Sequence, residues 1–485
     1  MKKLVISVMS LLICVSLNVQ GITTTLGFQN PNPVSGTNPV YVQQEIALPA
    51  VGVAITEPSF GLNLTRLTTA GSLGSRHEYS RFDPYNKDQS KIILIGNGLS
   101  SVYQTQTFPY NAPTNVIHNL AVTEPRWDRN ETNKIWGLSG ASIKTVDLSS
   151  SKPTVKVVND FSTNTYLTNK LGYKKFSITM KDEGESSYDK RYWALLVRSE
   201  DGSGKQHIIT WDKSNASNSR GGVIGTYELT AREKDNIDWV GMSPKGDHVL
   251  VGGLDYAAEE TTQNITGLTM ASKNFDRFHR LDYITAHADV GLDSDGNEVI
   301  VMQNTRTDYI DLIPIDWHTK AIKDGAVDNP YANTNRTKLV KLHYDSFSTN
   351  SFDLASGVHI SGNYDGYALI STTSSEAPGV DNEGNWLERT IFLVSLDPES
   401  PEAQYISKIY NSTDTYWQET HGTITNDGTK VLWAANWDQA GLQGRDFDNF
   451  LLQVDMASVP IPNALLLLGS SLLGLVGLSR RPAKK

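Results

Sequence analysis

The feature that most constrains this chain is a repeated two-strand pattern. Residues 239–248 run through a glycine turn at Gly246 into the apolar stretch Val249, Leu250, Val251. Residues 287–296 do the same before Val299 to Met302, residues 359–366 before Tyr367 to Ile370, and residues 421–428 before Val431 to Trp433. Looser copies precede them: Arg81 to Pro84 before Ile92 to Ile95, Glu124 to Trp127 before Ile135 and Trp136, and Phe176 to Thr179 before Tyr192 to Leu196. An Asp-Gly or Lys-Gly pair supplies the positive φ of a tight turn. The β-branched run after it suits a strand buried on both faces. A third strand ends in a dyad such as Val146-Asp147.

About seven such units, at spacings of roughly 45–70 residues, predict an all-β fold, a seven-bladed β-propeller. An array of β-sandwiches is the competing arrangement, but it does not require seven similar hairpins. The segment from Tyr41 to Thr68 is expected to close the ring against the last blade, and no sustained helical stripe is found in the body. Three polar stretches, from Tyr256 to Arg280, His318 to Lys341 and Ser374 to Glu388, read as loops capping one face.

Both ends carry export signals. Lys2 and Lys3 precede an apolar stretch from Leu4 to Leu17, so residues 1–21 read as a signal peptide cleaved after Gly21. Residues 22–40 read as a linker and 41–458 as the propeller. At the far end Val459, Pro460 and Pro462 precede an apolar run from Ala464 to Leu478, then Arg480 and Arg481. That run is roughly 15 residues, against about 20 for a full membrane span. Residues 459–485 are similar to the PEP-CTERM family of bacterial sorting signals, in a variant with a second proline. The resemblance implies an exosortase-type protease as partner, a membrane helix at least transiently, and delivery to the cell surface or extracellular matrix. A plain membrane anchor is the simpler reading. The single cysteine, Cys14, lies within the signal peptide, so the mature body has no thiolate or disulfide chemistry. A formal charge of −10 argues against a nucleic-acid partner.

His287, His359 and His421 open the inner strands of three successive units. Inner strands line a propeller's axis, so three imidazoles there form a candidate metal site. Hydrogen-bonded funnel residues are the plainer alternative. Gln418 stands three residues before His421, and residues 64–68 read Leu-Thr-Arg-Leu-Thr. On these residues the chain resembles the oligogalacturonate lyase family of seven-bladed propellers. That family carries a Gln-x-x-His-x-His motif and an upstream histidine around a divalent metal, manganese being favoured. The resemblance implies Gln418, His421 and His359 as ligands. The third motif position is Thr423, and His287 is the candidate replacement. It further implies β-elimination on a uronic-acid polysaccharide, with an arginine as base; Arg126, Arg306 and Arg445 qualify by type.

Trp239, Trp417 and Trp437 fall near strand ends and are candidate sugar platforms, with packing between blades as the alternative. His77, Glu78, Asp289 and Glu419 are further candidates for the funnel. Asp293 to Gly296 and Asp381 to Gly384 read as turns, because both lack the later glutamate of a calcium loop. The expected function is an exported surface or matrix propeller that binds polysaccharide or acts as a scaffold. The alternative is a metal-dependent polysaccharide lyase.

Overall fold

The computed structural model describes residues 29–30, 33–34, 41, 43–70, 75–96, 98–253, 263–307, 309–323, 329–342, 358–372, 387, 389–411, 419–437 and 450–456. The strands form seven antiparallel sheets, the blades of a propeller, numbered here in chain order. Blade 1 comprises Lys91–Gly96, Leu99–Gln104 and Val116–Asn119. Blade 2 comprises Thr123–Trp127, Lys134–Ser139, Ser142–Asp147 and Thr154–Asp160. Blade 3 comprises Phe176–Thr179, Tyr192–Ser199, Gln206–Asp212 and Val223–Glu228. Blade 4 comprises Trp239–Met242, His248–Gly252, Leu268–Ser272 and Phe278–Asp282. Blade 5 comprises Ala288–Leu292, Glu298–Asn304, Tyr309–Pro314 and Thr337–Lys341. Blade 6 comprises His359–Ser361, Tyr367–Ser371, Thr390–Ser395 and Ala403–Lys408.

Blade 7 is built from both ends of the body. Thr423–Ile424, Lys430–Ala435 and Phe450–Asp455 are completed by Asn63–Arg66 and Ala54–Thr56. Leu452 faces Arg66 and Val454 faces Leu64 across this seam. The expected closing segment therefore supplies two strands. Within the stretch read as a linker, Gln29–Asn30 pairs with blade 6.

The second strand of each blade is the apolar run that follows the turn, and it is buried on both faces. Val299, Ile300, Val301 and Met302 are all at or below 1% exposed. Burying each such side chain contributes about 1.5–3 kcal/mol. Gly296, Gly366 and Gly428 hold the turns at φ 79°, 82° and 70°. At the axis, a Cβ on Gly184 would lie 1.8 Å from the Val240 carbonyl oxygen. Only glycine lets the segment after blade 3's inner strand lie against blade 4.

Two of the three stretches read as loops contain strands. Leu268–Ser272 and Phe278–Asp282 are the outer half of blade 4, and Thr337–Lys341 is the last strand of blade 5. They escaped notice because each is five residues long and mixes polar with apolar residues, so no long apolar run marks them. The third stretch lies almost wholly outside the described residues. Among the described residues the one α-helix is Ala231–Asn236, capped by Thr230 and Glu233 in a reciprocal box. No helix among them is long and apolar enough to cross a membrane. The signal peptide and the run from Val459 to Arg481 lie outside the described residues.

Between blades 4 and 5 the rim holds a buried charged network. Arg306 and Arg336 both bond Asp282, and Arg336 also reaches Asp311 at 3.1 Å. Asp311 further accepts from Tyr331 and Asn304, each at 2.8 Å.

Candidate metal centre

The inner strands of blades 5, 6 and 7 begin at neighbouring places around the axis. His287 immediately precedes blade 5's inner strand, His359 opens blade 6's, and His421 stands two residues before blade 7's. The His287 and His359 ring centroids are 4.7 Å apart, and those of His359 and His421 4.1 Å. Glu419 joins them, with Oε2 at 2.5 Å from His359 Nε2. Donor atoms of His359, Glu419 and His421 all lie within 4.8 Å of one another. Tetrahedral N and O donors around one ion stand about 3.4 Å apart, so small rotations would bring this set onto a metal.

Blade 1 supplies the rest of the site. Its inner position is held by an irregular segment tied to the second strand through two bridges, Arg76 to Ile95 and Tyr85 to Ile92. This segment carries Arg76, His77, Glu78, Tyr79 and Arg81. His77 donates through Nε2 to the His421 carbonyl oxygen at 2.5 Å. Tyr79 lies 5.5 Å from the His359 ring and 5.2 Å from that of His421. Arg81 pairs with Glu183 at 2.9 Å and lies over Trp239.

Burial sets the protonation states. It lowers His287 and His359 to about 3, His77 to about 4, and His421 well below the ordinary imidazole value. The Arg81 charge adds to the lowering at His287 and His359, and Arg76 does so at His77 and His421. Burial raises Glu419 to about 7, against a smaller opposing effect of His287. Around neutrality the imidazoles are neutral, the form in which they ligate metals. At lower pH a neutral Glu419 carboxyl donates to His359. Two imidazoles and one carboxylate, with His287 against the His359 ring, form a set that suits manganese, iron or zinc.

Of the residues read from sequence as ligands, His287, His359 and His421 come together, and Gln418 lies outside the described residues. Thr423 is not directed to the cluster. Its hydroxyl donates to the Phe82 carbonyl at 3.0 Å and lies 3.3 Å from the Ser361 hydroxyl. Asp289 faces the axis beyond the histidines, accepting from the Gly362 and Val290 amides, and burial raises it to about 7.

Two of the arginines chosen by type are already engaged in ion pairs. Arg126 is buried, paired with Glu78 at 2.9 Å and bonded to the Asp182 carbonyl at 2.6 Å. Arg306 belongs to the rim network, bonded to Asp282 and the Ile322 carbonyl, and Arg445 lies outside the described residues. Of the tryptophans, Trp239 is 2% and Trp437 8% exposed. Trp437 stacks on Tyr410 and donates to the Ile46 carbonyl. Both therefore pack between elements and present no free ring face; Trp417 lies outside the described residues.

Sequence reading passed over Arg76, Tyr79 and Arg81. The signal was the density of titratable residues in the run from Arg76 to Arg81, in a unit whose loose pattern already departed from the others.

No family model and no curated protein matches the chain. Among solved structures, an oligogalacturonate lyase from Vibrio parahaemolyticus is 11% identical at TM-score 0.49, covering 84% of this chain and 97% of that one. An oligogalacturonate lyase in complex with manganese is 12% identical at TM-score 0.48, covering 83% and 95%. A chain of a mitotic checkpoint complex is 12% identical at TM-score 0.40, covering 85% and 95%. At these levels of similarity, the matches carry no argument about function.

Proposed function

We propose that the axial cluster holds one divalent transition-metal ion, manganese being favoured, and that the protein is a metal-dependent lyase of uronic-acid polysaccharide. The observation that carries this is the convergence of His359, His421 and Glu419 from blades 6 and 7, with the His287 ring of blade 5 against His359. Bound there, the metal would neutralise a substrate carboxylate and acidify the proton beside it, the chemistry of β-elimination. The chain's own residues prepare the site. Burial keeps the imidazoles neutral, and Arg76 and Arg81 bias the funnel toward anions. Tyr79 walls the cluster on the blade 1 side. The terminal segments support an exported protein, handled by an exosortase-type protease and delivered to the surface or matrix.

A second reading, a polysaccharide-binding or scaffold protein without catalysis, is favoured by Thr423, whose hydroxyl is already engaged where the lyase motif has an imidazole.

The test is metal content of the full chain beside His359→Ala and His421→Ala, with ultraviolet absorbance of an unsaturated uronate product as second readout. Stoichiometric metal lost in both variants, with product formed by the parent, supports the lyase. Metal without product leaves a metal-bearing binding protein. No metal after loading with manganese or zinc overturns the metal centre itself.

A further inference from the structure

His421 lies outside the regular ladder of its blade. It stands two residues before the inner strand Thr423–Ile424, and its φ of 45° falls in the left-handed region. A residue other than glycine keeps such a conformation only where its surroundings fix it. His359 differs, because it belongs to a strand and lies directly across from Ser371. The sheet itself places it.

The run around His421 is held at three points, each by a different blade. The Thr420 carbonyl accepts from the Ala434 amide of blade 7 at 3.0 Å. The His421 carbonyl accepts from His77 Nε2 of blade 1 at 2.5 Å. A carbonyl oxygen can only accept, so this nitrogen carries the ring's proton. The Gly422 amide donates to the Ser371 hydroxyl of blade 6 at 3.0 Å. The last two bonds engage both sides of one peptide unit, the one that joins His421 to Gly422. Blade 6 approaches it so closely that a Cβ on Gly422 would lie 2.9 Å from that of Ser371.

His77 is 1% exposed, and its Nδ1 is buried with no partner among the described residues. The bond to His421 is therefore the polar contact that orients its ring. The Arg76 guanidinium braces the segment behind it, donating to the His77 and Glu78 carbonyls at 3.1 Å each. Ser371 ties the clamp to the second ligand, since it is the register partner of His359. The two ligands are thereby fixed relative to each other, with ring centroids 4.1 Å apart.

We infer that His77 and Ser371 are positioning residues for the metal centre: by pinning the His421–Gly422 peptide from both sides, they hold the His421 imidazole beside His359 and Glu419. The inference rests on the metal reading above.

The experiment uses the full chain and two readouts. The first is hydrogen exchange of the Gly422 amide in metal-free protein. Exchange should be at least about tenfold faster in Ser371→Ala and in His77→Phe, and close to the parent in His77→Gln, whose side-chain amide can still donate. The second is manganese affinity per folded molecule, by titration calorimetry. Ser371→Ala and His77→Phe should each lose about 10–100-fold, the range for groups that orient a metal ligand, and His77→Gln should recover most of it. Arg336→Met, which weakens the fold at the rim, should lose none, and this separates positioning from stability. Exchange equal to the parent in both variants overturns the clamp, whatever the metal does. Faster exchange with unchanged affinity overturns the positioning role. A parent that binds no manganese overturns the metal centre and the positioning role with it, while exchange still decides whether the peptide is clamped.

Discussion

The axial histidine cluster and the rim network between blades 4 and 5 are both buried assemblies of ionisable side chains, and they meet the cost of burial in opposite ways. At the rim, two guanidiniums meet two carboxylates, and Tyr331 and Asn304 take up further lone pairs of Asp311. Charge is balanced within the network. At the axis, four imidazoles meet one carboxyl, and burial answers by removing charge from the histidines and keeping Glu419 protonated up to about 7. A balanced cluster is complete as folded. A neutralised cluster of donors is the arrangement that the proposed metal ion would complete.

The largest effect that would sharpen this contrast is at the rim. Arg336→Met should destabilise the fold by about 3–5 kcal/mol, because it leaves buried carboxylates uncompensated, and should leave metal content per folded molecule unchanged. His359→Ala should do the reverse, costing between about 0.5 and 3 kcal/mol while abolishing metal binding. Urea denaturation and metal analysis of both variants give the comparison, and it breaks if His359→Ala is the more damaging to stability.

Next in size is the pH dependence of metal binding. Glu419 must lose its proton to ligate, so apparent affinity should fall about tenfold per pH unit below about 7. Titration calorimetry of Glu419→Gln should show weaker binding and a flatter profile between pH 5 and 7. An unchanged slope would remove Glu419 from the ligand set.

Acid stability should separate the regions further. His359 is held near 3 in the fold and titrates near 6.5 when unfolded. The unfolded chain therefore binds the extra proton, and stability is lost as pH falls from about 6.5 toward about 3, by at most about 1.4 kcal/mol per pH unit. Glu419 and Asp289, raised to about 7, act with the opposite sign between about 4 and 7. The readout is thus the difference between parent and His359→Asn, whose stability should fall less steeply with acid.

The smallest expected effect is Arg306→Lys at the rim, about 1 kcal/mol, since the charge stays and the planar fork is lost.

The blade count was legible because the last four hairpins announce themselves locally, through a glycine turn and a buried run after it, and the first three keep the buried run although Gln89 and Lys190 take the positive φ in blades 1 and 3. The three histidines were legible for a related reason, since each stands at or just before the start of an inner strand. What the sequence concealed depends on closure. His77 meets His421 across 344 positions of chain, and no local pattern marks that pairing. Glu419 lies two residues from His421, yet its place in the cluster depends on the turn into blade 7, where His421 itself has φ 45°. The tryptophans near strand ends misled because a large aromatic ring fills a gap between blades as well as it receives a sugar.

Blade 7 is shared between the first and last strands of the ring, and the cluster's donors from blades 5 to 7 are buttressed by residues from the other end of the body. Blade 1's His77 and Tyr79 stand against His421. A nascent chain therefore owns no working donor set until its final strands have been synthesised and docked. With the proposed metal, uptake would report that blade 7 has formed.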